Sequence, residues 1–233
     1  LSLSLSLSLS LSLSLSHFFF FLLWVNIRQG SYYMVPETYQ NFSIRLYKAA
    51  RFPDQWVFVK NLVAGHAFID TSPILFHGRW YLFTHLKDGG NPRLLIYYSD
   101  SDSIEEAGWT LHPGSPFYEG NDAFARPGGR PVIFGSDILR PVQDLRESYG
   151  HFLRMMRVTK LSPTEFEEHE EALVSPLPTV PFISRRVHHI DLHNLDEDEP
   201  VDELVPQAEA EPKKSKAKVG VEPGLASAGL GPA

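Results

Sequence analysis

Short apolar runs alternate with closely spaced turn residues from Tyr32 onward, and convincing helical periodicity is scarce. Residues 67–86 show the pattern most clearly, with two apolar runs joined by a tight turn at His77-Gly78. Runs of this length, bounded by turn signals, are typical of β-strands. The hydrophobic pattern therefore predicts an all-β chain of many short strands.

The predicted strands recur in a repeating order of four. We assign second strands to 32–37, 79–83 and 137–142, third strands to 43–49, 93–100 and 151–159, fourth strands to 56–63, 109–113 and 166–173, and first strands to 67–76, 122–126 and 188–195. A repeat of about fifty residues with four strands is the scale of a β-propeller blade. A plain sandwich explains the strand content but not the order. We therefore predict a partial propeller of about three blades plus one strand, in which the first blade lacks its first strand.

Residues 1–29 differ in kind from this body. They open with a strict Leu-Ser alternation, which has the period of an amphipathic strand, and continue into the apolar run 18–25. The segment lacks the basic region and the small-residue cleavage site of a signal peptide. Its apolar run is also shorter than the about 20 residues that a membrane span needs. A CT dinucleotide tract read in frame also encodes Leu-Ser repeats. We interpret 1–29 as low-complexity sequence, either translated intron or otherwise non-globular, and expect a chain that opens on Leu1 to be incomplete there.

The tail, 196–233, contains no aromatic residue and carries −5 of the net charge of −7. This composition cannot bury a core and predicts disorder. Its lysine patch at 213–218 fits either a solvated linker or a localisation signal. The remaining body, 30–195, is nearly neutral and has no basic stripe, so we expect no nucleic-acid partner. The absence of cysteine excludes disulfides, cysteine-ligated zinc and thiol catalysis.

Seven short sequence motifs along the body resemble those of a known family. They are YMVPET (33–38), IRLYKA (44–49), RFPDQW (51–56), FIDTS (68–72), GRWYLF (78–83), ARPGGR (125–130) and HHIDLH (188–193). In this order, over residues 30–193, the chain resembles the N-terminal domain of glucosamine inositolphosphorylceramide transferases and related bacterial proteins. The resemblance implies a five-bladed propeller similar to family 43 glycoside hydrolases, a separate glycosyltransferase domain in full-length plant proteins, and association with the Golgi membrane.

The chain also departs from this family. Family members begin with a blade whose first strand carries an Asp-Pro pair, and that blade is absent here. After His193 the family continues with a glycine-rich turn and a tryptophan-containing strand, whereas this chain continues with the acidic residues 196–199. The resemblance therefore implies a fragment of the family's propeller.

Asp70 is the carboxylate whose position resembles an active-site position in related propellers. Glycoside hydrolysis needs two facing carboxyl groups, about 5–5.5 Å apart for retention and about 6.5–9.5 Å apart for inversion. In the hydrolase propellers these groups come from first strands that line the central channel. Asp70 could be a catalytic remnant, a hydrogen-bonding group for a sugar, or an aspartate that accepts nearby backbone N–H groups.

Three further charged residues are candidates for ligand contact. Glu37 follows an apolar strand, where a buried carboxylate needs a partner to offset its desolvation. Arg126 is a candidate partner, because its planar guanidinium suits carboxylate, phosphate or sugar hydroxyl groups. Asp144 could point to the same place. Each of them could equally be a structural part of the seam between blades.

His189, Asp191 and His193 alternate along a predicted strand and so share one face, while His188 faces the other way. Two imidazoles and a carboxylate could form a metal site, contact a sugar or phosphate, or simply form an inward-facing polar strand. The spacing is unspecific, and we predict no metal and no cofactor.

These observations favour a noncatalytic propeller module. In an intact protein it would support glycosyl transfer to an inositolphosphorylceramide sphingolipid, either by binding a glycan or glycolipid headgroup or by positioning the glycosyltransferase domain. The alternative is a family 43-like glycoside hydrolase domain, inactive in this truncated form. A third interpretation is a gene fragment whose product has no function.

Overall fold

The computed structural model describes residues 23–28, 30–87, 91–176 and 186–191. Within these ranges the chain forms thirteen β-strands in three antiparallel sheets, together with one short 3-10 helix, Tyr39–Asn41. No helix of the described part is long and apolar enough to cross a membrane. The prediction of an all-β chain is confirmed.

Each sheet is built from strands that follow one another in sequence. The first blade contains β1 (Leu23–Arg28), β2 (Ser31–Pro36), β3 (Ser43–Arg51) and β4 (Gln55–Ala64). The second blade contains β5 (Phe68–Phe76), β6 (Arg79–Leu86), β7 (Leu94–Ser99) and β8 (Trp109–Leu111). The third blade contains β9 (Arg126–Pro127), β10 (Val132–Phe134), β11 (Asp137–Asp144), β12 (Phe152–Leu161) and β13 (Phe166–Val174). The repeating order of four identifies the body as part of a β-propeller.

Strand β1 differs from the sequence-based expectation, which left the first blade without a first strand and treated 1–29 as non-globular. Its backbone pairs with all of β2, from Leu23 opposite Pro36 to Arg28 opposite Ser31. Gly30, with φ +72°, immediately precedes β2. The Leu-Ser segment and the acidic tail lie outside the described residues, so the predictions for them stay predictions.

The first strand of the third blade also differs from its predicted position at 122–126. Residues before Arg126 form a turn in which the side chain of Asn121 accepts the Ala123 N–H at 2.9 Å. The strand is then divided into β9 and β10, both paired with the same edge of β11. Gly128 lies at the division, where its N–H donates to the Pro141 carbonyl at 2.9 Å.

Alternating side chains of β6 build the two seams between blades. Trp80 and Leu82 pack with side chains of the first blade, whereas Tyr81 and Phe83 pack with Ile138 and other side chains of the third. Because successive residues of a strand point to opposite faces, one strand supplies apolar groups to both interfaces. The second blade is therefore buried on both sides.

Gly129 is expected to be among the least replaceable residues of the third blade. It has φ +150°, and a Cβ atom there would overlap the carbonyl of Ile190, which bridges to Gly129 in parallel. We predict that Gly129→Ala lowers the free energy of unfolding by about 2–4 kcal/mol, from backbone strain and steric overlap together. Urea unfolding measures the loss, and faster hydrogen exchange of the Ile190 amide would locate it.

Gly135→Ala provides the matched control for this substitution. Gly135 also has positive φ, +65°, but no atom of the described residues lies within 4 Å of the position that an alanine methyl group would take there. Only backbone strain then remains, worth about 1 kcal/mol. Equal losses in the two variants would contradict the role assigned to the Ile190 contact.

Candidate functional site

The candidate site is centred on Asp70, at an irregularity in β5. The pairing of β5 with β6 shifts between Ile69 and Ser72, and Asp70 adopts φ +53°. Residues other than glycine rarely take this conformation, and such outliers cluster at functional sites. Its side chain is only 1% exposed. The bulge thus directs a carboxylate into the protein, where it needs partners.

Two side chains of the third blade provide those partners. Arg126 donates from Nε to Oδ2 of Asp70, and Gln143 donates from Nε2 to the same oxygen at 3.1 Å. Gln143 also donates to the Pro127 carbonyl at 2.7 Å, which fixes its amide orientation. Arg126 and Gln143 lie opposite each other in the pairing of β9 with β11. The charge of the buried carboxylate is therefore balanced across the seam between the second and third blades.

Glu37 lies beside this group, just after β2. The pKa of Glu37 is raised to about 7, mainly by burial and also by the negative charge of Asp70, while the positive charge of Arg126 opposes the rise. The Asp70 backbone N–H donates to the Glu37 carboxyl group. The sequence suggested Arg126 as the partner of Glu37; the structure instead pairs Arg126 with Asp70, and Glu37 feels both charges through space. Its Oε2 is buried and has no hydrogen-bond partner among the described residues.

The raised pKa of Glu37 predicts a pH-dependent stability. The pKa is 4.5 without the protein environment and about 7 in the fold, so the folded state holds the proton more tightly. The stabilisation is complete below pH 4.5 and is lost as the pH rises to about 7. For a partly exposed group screened by solvent we expect a loss of about 1–2 kcal/mol.

Urea unfolding of the native chain and of Glu37→Gln across this pH range measures the effect. The difference in the free energy of unfolding between the two proteins reports the titration of Glu37. The titration of the buried histidines occurs in both proteins and cancels from this difference. A constant difference between pH 4.5 and 7 would contradict the assigned pKa.

An aromatic ring forms the more accessible edge of the site. The Arg126 guanidinium carbon lies 5.3 Å from the centre of the Tyr149 ring, and this ring is 5.0 Å from that of His188. Tyr149 is 37% exposed. Burial raises the pKa of Tyr149 and lowers the pKa of His188. No sequence pattern marks Tyr149 or Gln143, and the strand alternation places His188 on the opposite face from His189, because these residues come to the site only through contacts between segments distant in sequence.

Asp144 does not join this group. It accepts hydrogen bonds from Arg146 at 2.8 Å and from Arg154 at 2.6 Å. Burial alone would raise the pKa of Asp144, but these bonds outweigh it and hold the pKa well below its ordinary value. Asp144 is thus the centre of a separate ion-pair network.

The predicted row of His189, Asp191 and His193 is only partly described. Asp191 Oδ1 lies 3.1 Å from Arg130 Nε. Burial lowers the pKa of His189, and the nearby charges of Asp191 and Asp70 oppose the change. His193 lies outside the described residues. A shared role for the three therefore stays a prediction, while His189 is electrostatically coupled to Asp70.

Three antiparallel sheets in series, with a buried carboxylate held across the seam between two of them, define this chain as a β-propeller module. A sequence model described as glucosamine inositolphosphorylceramide transferase 1, N-terminal, matches residues 4–204, and the chain belongs to this family. The match extends on both sides of the stretch 30–193 on which the resemblance rests.

Relatives named glucosamine inositolphosphorylceramide transferase 1 occur in rice and Arabidopsis. The protein of Oryza sativa subsp. japonica is 33% identical over 174 residues, which are 70% of this chain and 22% of the relative. The Arabidopsis thaliana protein is 30% identical over 183 residues, 71% of this chain and again 22% of the relative. The chain thus spans about a fifth of these relatives. Among solved structures, an exo-β-1,3-galactanase of Clostridium thermocellum is similar with a TM-score of 0.48 and 17% identity, over 67% of this chain and 37% of the galactanase.

Proposed function

We propose that this chain is a noncatalytic propeller module that binds a glycan or glycolipid headgroup. In a longer protein it would support glycosyl transfer to inositolphosphorylceramide, next to a separate glycosyltransferase domain. Family membership supports this proposal, as does the name of the rice and Arabidopsis relatives, most of whose length lies beyond the matched region.

The state of Asp70 carries the noncatalytic part of the proposal. A catalytic carboxylate has to reach the substrate, but Asp70 is 1% exposed and its Oδ2 accepts hydrogen bonds from Arg126 and Gln143. Around it, Glu37 and Tyr149 are less deeply buried. Hydrogen-bonding groups beside an aromatic ring suit a polyhydroxylated ligand.

A glycoside hydrolase is the second candidate. It is favoured because the carboxyl group of Glu37 has a raised pKa, whereas that of Asp70 is paired with the cation of Arg126. Glycosidases combine a protonated carboxyl group with an ionised one, and a raised pKa identifies the acid. Glu37, with its pKa of about 7, would then be the general acid, and Asp70, paired with Arg126, the ionised partner.

Two assays on the same purified chain separate the candidates. Saturation-transfer NMR with myo-inositol and a panel of methyl glycosides measures binding, and aryl glycosides measure hydrolysis. We expect binding without hydrolysis, and about tenfold weaker binding in Glu37→Gln, corresponding to one lost hydrogen bond. Asp54→Asn is the matched control, because Asp54 pairs with Arg51 on an exposed turn.

The possible results of these assays distinguish the noncatalytic module from the hydrolase. Hydrolysis that Glu37→Gln abolishes would establish the hydrolase and reject the noncatalytic module. Absence of binding to every member of the panel would reject ligand binding at this site. Equal weakening in Glu37→Gln and Asp54→Asn would place the ligand elsewhere.

A further inference from the structure

We propose that this site selects an uncharged, hydroxyl-rich ring and discriminates against phosphate, so that it recognises the ring of a headgroup rather than its phosphate. The inference rests on the proposed function and narrows its ligand class. It follows from three features of the cluster around Asp70: the engagement of its cations, its unpartnered buried oxygen atoms, and the exposed ring of Tyr149.

The two cations beside the site, Arg126 and Lys87, each lie against a carboxylate or an aromatic ring. Phosphate sites present arginine or lysine groups whose N–H donors are available to the anion. Here Arg126 uses its Nε to bind Asp70 and lies over the Tyr149 ring. Lys87 lies 3.7 Å from the centre of the Tyr39 ring, and its charge acts on Glu37. Asp70 thus binds one of these cations and the Glu37 carboxyl group interacts with both, which reduces the attraction that these cations offer to an added phosphate.

The unpartnered oxygen atoms require hydrogen-bond donors. Gln143 is 0% exposed, and because its Nε2 donates to two acceptors, its free atom is the acceptor Oε1. Neither this oxygen nor Oε2 of Glu37 has a hydrogen-bond partner among the described residues. A buried acceptor without a donor is costly. A hydroxyl group, from the ligand or from a bridging water, can donate to such an atom, whereas the dianionic phosphate group of a monoester has no hydrogen to donate.

Tyr149 adds a flat surface to these polar groups. Its ring is 37% exposed and lies between Arg126 and His188. An inositol or pyranose ring has apolar C–H faces and a rim of hydroxyl groups. Such a ring can stack on Tyr149 and offer its rim hydroxyls to the acceptors through bridging water, whereas a phosphate group has no face to stack.

A matched pair of probes tests this selection. Myo-inositol and myo-inositol 1-phosphate, with inorganic phosphate as a third probe, are titrated into the full chain at pH 8 and followed by NMR. We expect myo-inositol to bind about tenfold more tightly than its phosphate, because an ionised Glu37 repels the added charge. The preference should narrow at pH 6, where Glu37, with its pKa of about 7, is largely protonated.

Variants of Tyr149 test the ring contact, and circular dichroism verifies that each is folded. Tyr149→Phe keeps the ring and should bind myo-inositol as the native chain does, whereas Tyr149→Ala should weaken binding several-fold. Equal weakening in both variants would overturn the stacking contact. Tighter binding of inositol 1-phosphate or of inorganic phosphate would overturn the selection while leaving headgroup binding intact. Failure of all three probes and of the methyl glycosides would instead overturn the proposed function.

Discussion

Replacement of Arg140 by alanine is expected to lower the free energy of unfolding by about 3–5 kcal/mol. The side chains of Arg140 and Glu168 are both 0% exposed. Arg140 donates to Glu168 through Nε at 2.9 Å and Nη2 at 2.5 Å, and its guanidinium lies 5.4 Å from the centre of the Phe83 ring. Alanine would leave the Glu168 carboxylate buried without its cation, which costs more than the pair itself contributes.

A double substitution distinguishes this explanation from a simple loss of packing. Arg140→Met combined with Glu168→Leu removes both charges and keeps most of the volume, so we expect a smaller loss than in Arg140→Ala alone. Lys160→Ala disrupts an exposed pair with Glu167 and should barely change stability. Urea unfolding followed by circular dichroism measures all three. A double variant as unstable as Arg140→Ala would contradict the explanation that Arg140→Ala destabilises the protein by leaving the buried Glu168 carboxylate unpaired.

Replacement of Arg126 by alanine is expected to cost about 2–4 kcal/mol. The mechanism is the same, because Asp70 is 1% exposed and, of its side-chain partners in the described part of the chain, would keep Gln143. The cost is lower than for Arg140, since the Arg126 side chain is 18% exposed and water can enter its place. Denaturant unfolding gives the value, and the same variant should lose headgroup binding.

The reverse substitution, Asp70→Asn, should be milder. Asparagine tolerates the positive φ of this position, and the unpaired Arg126 can turn its guanidinium towards solvent. We expect a loss at least about 1 kcal/mol smaller than in Arg126→Ala. Equal losses would show that the ion pair acts symmetrically and that burial of Asp70 is not the dominant cost.

The strand order could be predicted from the sequence because it depends on local signals. Turn residues and apolar runs place β5 and β6 on either side of His77-Gly78, and the structure has them there. Strand β1 was missed because its neighbours in sequence are a low-complexity repeat, and nothing local shows that its backbone pairs with β2. Pairing between strands is a tertiary property, which composition does not encode.

The candidate site was only partly predictable for the same reason. Sequence position marked Asp70 as a channel-lining candidate and suggested Arg126 as the partner of Glu37, but it did not show that the arginine binds Asp70. That choice depends on the bulge at Asp70, which turns its side chain towards β9. Gln143 carries no charge, and Tyr149 lies in a loop, so neither had a sequence pattern to mark it. Their roles follow from the packing of the third blade against the second.

Because β6 supplies alternate side chains to two seams, the two seams are expected to change independently in evolution. A change in the size of Trp80 or Leu82 has to be accommodated by the first blade, whereas a change at Tyr81 or Phe83 has to be accommodated by the third. Compensating substitutions should therefore co-vary in two independent sets, although the residues that link them are adjacent in the chain. Relatives with divergent first blades can in this way retain the seam that holds Asp70 and Arg126.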